Sequence, residues 1–171
     1  HEVNVHSGGR PEPGPVVALG ADALVVPGAE AGGHNQAEAS TMTLFPRIRC
    51  RFPTLPLLAA GGIVDGATMA AALVLGADAV WCGSRFLAAQ ESEAHDSYKA
   101  HVLSADVGDT AILSIYGPEW PDQPMRAIAN DGARVALGRE AGAIGEAKDQ
   151  VIGSTAPHVQ PIPGPPHSAP L

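Results

Sequence analysis

Basic residues and paired cysteines are both scarce in this 171-residue chain. Each scarcity removes a class of function. Ten Lys and Arg stand against 18 Asp and Glu, for a formal net charge of −8. A nucleic-acid surface needs clustered cations to displace the counterions around phosphates, so none is expected. The tightest basic group, "RIRCR" over Arg47–Arg51, is short and reads as a solvated loop or helix end. Cys50 and Cys82 belong to no Cys-x-x-Cys pattern, so neither a zinc site nor a disulfide framework is indicated. Two isolated thiols fit a reducing, cytoplasmic compartment. No apolar run approaches the roughly 20 residues of a membrane span, and "HEVNVHSGGRPEPG" has no signal-peptide layout. His95 and His101 are six apart, off a common helical face, with no carboxylate at ligand spacing, so no metal site is expected. The chain opens on His rather than Met, as a processed, cloned or truncated chain would.

Glycine and proline are plentiful instead, at 20 and 16 residues, and alanine supplies much of the apolar share. The length suits one domain with a real core. Three nearly continuous apolar runs bounded by Gly or Pro predict strands: Ala23–Val26, Leu55–Ala60 and Ala77–Trp81. Continuous apolar strands belong to parallel sheets covered on both faces. A weaker fourth, "EVNVH", alternates near the start. Between the second and third runs lies "VDGATMAAALVLGAD", in which Asp65 can cap a helix and Gly76 can end it in the left-handed conformation. Strand, glycine turn, helix and strand make a βαβ unit, and "GADAL" and "GADAV" repeat its helix-to-strand junction.

That unit narrows the fold to a doubly wound sheet or a (β/α) barrel. The barrel is favoured because chemistry-bearing stretches follow three different strands: "GAEAGGH", "GGIVDG" and "GSRF". In a barrel, all strand C-terminal ends converge on one mouth. Further on, "ESEAHDSYKAHVLSA" reads as an amphipathic helix sharing Ala94, Tyr98 and Val102 on one face. "TAILSIYGPEWPDQP" starts as a short strand, with Asp106 and Asp109 before it as caps. "MRAIANDGARVALGREAGAIG" reads as one or two helices, and "STAPHVQPIPGPPHSAPL" is too proline-rich for helix or central strand.

Successive N–H groups at Gly61 and Gly62, between a strand and a helix start, can cradle an anion. Gly83 and the hydroxyl donor Ser84 follow the next strand, and the two turns together favour a phosphate-bearing ligand. Gly32 and Gly33 let backbone approach a planar ligand closely. His34 beside them can accept a proton near neutral pH or, once protonated, steady an anion. A structural or merely solvated histidine is the alternative, and the residues alone leave it open. Glu30 is expected to support the loop structurally.

Together "GADALVVPGAEAGGH", "LPLLAAGGIVDGATMAAALVLGADAVWCGSRFLAAQES" and "HDSYK" resemble the nitronate monooxygenase family, formerly the 2-nitropropane dioxygenases. FMN-dependent enoyl-acyl-carrier-protein reductases are similar in layout. The likeness runs over about Val16–Thr110 and implies a partial TIM (β/α) barrel, about strands five to eight, that binds FMN without a covalent link. It implies that Gly32 approaches the flavin and that Gly62 holds its phosphate, with Trp81, Cys82, Gly83 and Ser84 as a second half of the cradle; Gly33 and Gly61, read from the residues above, complete the expected cofactor site. His34 falls on the family's catalytic histidine. The implied reaction takes a nitronate or nitroalkane and oxygen to a carbonyl compound and nitrite. Departures are Pro27 where the family usually has Gln, and Trp81 with Cys82 where Gln or Met is usual.

The resulting expectation is the C-terminal half of an FMN barrel over 1–116, a helical extension over 117–154 and a Pro-rich tail over 155–171. Such a half is expected to be a fragment, a decayed remnant, or one member of a homo-oligomer. Enoyl thioester reduction and a non-catalytic barrel remnant are the rival functions.

Overall fold

Each apolar run expected to be a strand is one in the computed structural model, which describes residues 2–4, 20–114, 124–129 and 133. The chain forms two compact units, His1–Cys82 and Gly83–Leu171.

In the first unit, β1 (Glu2–Asn4), β2 (Ala23–Pro27), β4 (Leu57–Ala60) and β5 (Ala79–Trp81) form one parallel sheet in the order β1-β2-β4-β5. A two-residue strand, β3 (Gly33–His34), lies in the loop after β2. Helix α1 (Thr41–Arg51) connects towards β4, and α2 (Gly66–Val74) connects β4 to β5. The protein is thus α/β with a parallel sheet, built from consecutive βαβ crossovers.

Side chains alternate across a sheet, and the core follows that period. Leu24, Val26, Leu57 and Ala59 pack with Leu44, Phe45 and Ile48 of α1 and Ala72 of α2, and Val80 joins them from β5. Phe45 is completely buried at the centre. Val25, Pro27, Ala60 and Trp81 therefore belong to the opposite sheet face; the first three are buried there as well. Continuous apolar strands were expected for this reason.

The ends of α2 match their sequence signals. Asp65 Oδ1 accepts from Thr68 N at 2.8 Å, and Thr68 Oγ1 accepts from Asp65 N at 3.0 Å, a reciprocal capping box. Gly76 takes φ +97° past the last turn. The carboxyl of Asp65 is held below the usual aspartate range chiefly by the Thr68 N–H.

"RIRCR" is the end of α1, as expected, with Arg47, Cys50 and Arg51 exposed, but Arg49 within it clamps the base of the sheet. Its guanidinium donates to the carbonyls of Gly76 (2.9 Å), Phe52 (3.2 Å) and Leu55 (3.0 Å), and pairs with Asp78. The Asp78 carboxylate also accepts from Leu57 N at 2.8 Å, locking the start of β4 to the start of β5. That backbone N–H, followed by Arg49, holds the Asp78 carboxyl below its ordinary value. A group with a depressed folded pKa stabilises the fold above its unfolded value and loses that contribution as pH falls through the folded one. Asp78→Asn should therefore be less stable than the unmodified chain at pH 7. The gap in urea midpoint should close as pH drops below the ordinary aspartate value of about 3.9. A pH-independent gap would show that ionisation of Asp78 is irrelevant.

In the second unit, α3 (Ser84–Leu87) is a single turn and α4 (Asp96–Ser104) is a helix inside the stretch expected to form one, but none of its residues is buried and Ala94, expected on its apolar face, lies before its start. The Nδ1 of His95, its N-cap, accepts from Ser97 N. Asp106 and Asp109, read as caps at the turn before β6, close that turn: Asp109 Oδ2 accepts from Asp106 N at 2.8 Å, with Gly108 at φ +98° between them.

One reading is corrected. "MRAI", expected to start a helix, forms β7 (Met125–Ile128), antiparallel to β6 (Thr110–Leu113). Ala127 sits opposite Ala111, and Arg126 donates to Thr110 Oγ1 at 2.9 Å. A four-residue segment has too little periodicity to reveal its own state; the partner strand 12 or more residues earlier decides it. Ala133 is helical. The rest of the expected helical extension, the Pro-rich tail and most of "SGGRPEPGPVVALG" lie outside the described residues.

Candidate functional site

The C-terminal ends of three strands lie side by side. Pro27 is the register partner of Ala60, and Ala60 of Trp81. The loops that carry the candidate residues of the first unit leave from this one row, so register alone makes the turns after β2 and β4 neighbours.

Their contact is close. A Cβ on Gly61 would lie 2.6 Å from Ala31 N, and a Cβ on Gly62 would lie 3.7 Å from the Glu30 side chain. Gly61 and Gly62 both occupy the left-handed region, at φ +90° and +72°, where other residues pay for their Cβ. A Cβ on Gly28 would lie 2.2 Å from Thr41 N. The three glycines of "GAEAGGH" therefore divide by task. Gly28 admits the start of α1, whereas an added Cβ on Gly32 or Gly33 would meet nothing within 4 Å among the described residues.

The loop holding His34 is organised by Asn35, which is 1% exposed. Its Nδ2 donates to Gly28 O (2.9 Å) and Ala31 O (3.0 Å), and its Oδ1 accepts from Ala37 N (2.9 Å). Ala31 N donates to Gly28 O and Ala29 N to Ala39 O, which draws the loop into a closed turn. His34 is half-buried, with Nε2 out of contact with solvent.

Glu30 has the structural part expected of it. Its Oε2 accepts from Thr41 N at 2.9 Å and lies 3.0 Å from Thr41 Oγ1. It thus serves the first turn of α1 in place of Ser40, whose side chain makes no capping bond. The Thr41 hydroxyl in turn lies 2.8 Å from Gly61 O and 3.1 Å from Ala60 O. Neither Asn35 nor Thr41 was among the residues singled out from the sequence. The signals available were an Asn directly after Gly-Gly-His, an Asx-turn former, and a Ser-Thr pair opening a helix.

Trp81 ends β5 on the face opposite Val80 and is 41% exposed, while Cys82 beside it is half-buried. In the second unit, Gly83 and Ser84 are exposed at the head of α3, and a Cβ on Gly83 would meet nothing within 4 Å among the described residues.

A model of the nitronate monooxygenase family matches residues 11–144. The chain belongs to the nitronate monooxygenase family. Among its relatives, (3aS,4S,5R,7aS)-5-hydroxy-7a-methyl-1-oxo-octahydro-1H-indene-4-carboxyl-CoA dehydrogenase of Rhodococcus jostii is 43% identical over 97 residues, 57% of this chain and 27% of the relative. The structure of FabK from Thermotoga maritima is similar at TM-score 0.73 and 35% identity, covering 88% of this chain and 46% of that one. Nitroalkane oxidase from Streptomyces ansochromogenes is similar at TM-score 0.68 and 29% identity, over 85% and 43% of the two chains. This chain spans about a third of the length of curated nitronate monooxygenase relatives. Among the described residues, no helix is long and apolar enough to cross a membrane.

Proposed function

We propose that this member of the nitronate monooxygenase family contributes part of an FMN-dependent (β/α) barrel that oxidises alkyl nitronates with oxygen to a carbonyl compound and nitrite. The barrel reading is supported by four parallel strands added in one direction, without the reversal of order that marks a doubly wound sheet. The observation that carries the site is the single row of Pro27, Ala60 and Trp81, with the His34 loop and the Gly61–Gly62 turn in contact above it.

The residues present fit a flavin. Open space at Gly32 and Gly33 leaves room for a flat ring against bare backbone. The left-handed pair Gly61–Gly62, followed by the N-terminus of α2, suits a phosphate. We assign Gly32 and Gly33 to the ring, and Gly61 and Gly62 to the phosphate. Trp81, Cys82, Gly83 and Ser84 are assigned to the cofactor as well. Bound flavin would supply the electron-accepting chemistry. His34 would take the carbon-bound proton of a neutral nitroalkane at a ring nitrogen, and the imidazolium so formed would steady the negative oxygens of the nitronate.

FMN mixed with the purified chain should stay with it through desalting, leaving a yellow protein. Colourless protein would favour a non-catalytic barrel remnant. A second enzyme reading, reduction of an enoyl thioester, draws on the similarity to a relative named for a CoA thioester. NADH should not bleach the bound flavin if nitronate oxidation is the reaction, and bleaching would favour the thioester reading.

A further inference from the structure

We propose that Thr41 is a positioning residue: its hydroxyl holds the Gly61 carbonyl and thereby aims the Gly62 N–H at the ligand side of the strand-end turns. The ligand rests on the flavin reading above; the geometry does not.

The peptide between Gly61 and Gly62 has no Cβ on either side, so it is among the easiest in a chain to flip about its own axis. The described peptide bonds are all trans, and a planar trans peptide points its C=O and N–H in opposite directions. Fixing the Gly61 carbonyl therefore fixes the Gly62 N–H. Three oxygens surround the one hydroxyl hydrogen of Thr41, and Gly61 O at 2.8 Å is the nearest. Glu30 Oε2 receives the Thr41 N–H instead, which secures the residue from the other side. Thr41 is 5% exposed and Gly62 is exposed. The hydroxyl is thus set back in the structure, and the amide it orients stands where a ligand can reach it. A plain helix-start residue would need only its N–H bond to Glu30. The additional bond from its hydroxyl to the turn after β4, 20 residues on, marks the positioning role.

The test compares Thr41→Val, which keeps the shape and loses the hydroxyl, with Thr41→Ser, which keeps the hydroxyl. In flavin-free protein, the Gly62 amide resonance of Thr41→Val should shift or split, while Thr41→Ser keeps the wild-type position. A Gly62 resonance unchanged in Thr41→Val would overturn the proposal. The Kd for FMN should rise roughly 10-fold or more in Thr41→Val, as for loss of a hydrogen bond to a charged group, and stay near wild type in Thr41→Ser. Equal Kd values would likewise overturn the role toward the ligand. Wild-type protein that binds no FMN would refute the flavin reading alone, because the resonance still decides what Thr41 does. Should Thr41→Val fail to fold, Thr41→Ala removes the same hydroxyl without a branched side chain in the first turn and is read by the same resonance.

Discussion

Gly28→Ala will destabilise the first unit severely, whereas Gly32→Ala, four residues along the same loop, will leave its stability nearly unchanged. A methyl at position 28 would lie 2.2 Å from Thr41 N, 2.3 Å from Thr41 Oγ1 and 2.5 Å from Thr41 Cα. Two of those atoms are backbone, so no rotamer change relieves the overlap and α1 itself must move. That helix carries Leu44, Phe45 and Ile48 into the core, and Phe45 has no exposed surface to yield. Overpacking of this kind costs about 1–3 kcal/mol, occasionally more, out of a total of about 5–15 kcal/mol for a typical domain. At Gly32 an added methyl meets nothing within 4 Å among the described residues. Substitutions at such sites usually fall within about 0.5 kcal/mol of zero. Urea unfolding of the two variants beside the parent measures the difference. Equal midpoints would mean that Gly28 and Thr41 are not in the contact described.

The second large effect concerns chemistry. His34→Ala should lower turnover of a neutral nitroalkane by about 10²–10⁴-fold, the usual range for loss of a positioned general base. Turnover of a preformed nitronate, whose proton has already left, should fall far less. The split between the two substrates tests the base role, since general damage to the loop would depress both equally. Asn35 offers a control for such damage. It holds the loop through three hydrogen bonds, so Asn35→Ala should depress both substrates together. Equal losses in His34→Ala would contradict proton abstraction by the imidazole.

Much of the first unit was legible because its signals are local. Continuous apolar runs marked β2, β4 and β5, Asp65 and Gly76 marked the ends of α2, and the glycines after each strand marked the turns. Helix α1 left no such trace. Pro46 lies inside it, removing one backbone donor from a helix interior, and its start is secured by a carboxylate 11 residues earlier. Arg49 looked solvated because its partners are carbonyls and an aspartate far along the chain. The same distance hid Thr41, whose neighbours at Ala60 and Gly61 come together only through the parallel register. At β7, four residues with no clear period took the state of their partner strand. Local backbone signals were readable in advance, and groups that act across a crossover were not.

Helix α1 is fastened at both extremities, through Thr41 to the turns at one edge of the sheet and through Arg49 to the strand starts at the other. Thermal fraying of the glycine loops must pull on Thr41, and movement at Thr41 is transmitted along a helix whose inner side is the core. The loops consequently share in the cooperative unfolding of the sheet instead of opening as a separate, weaker region. On the flavin reading proposed for these turns, a rim built this way would need little binding energy to order it.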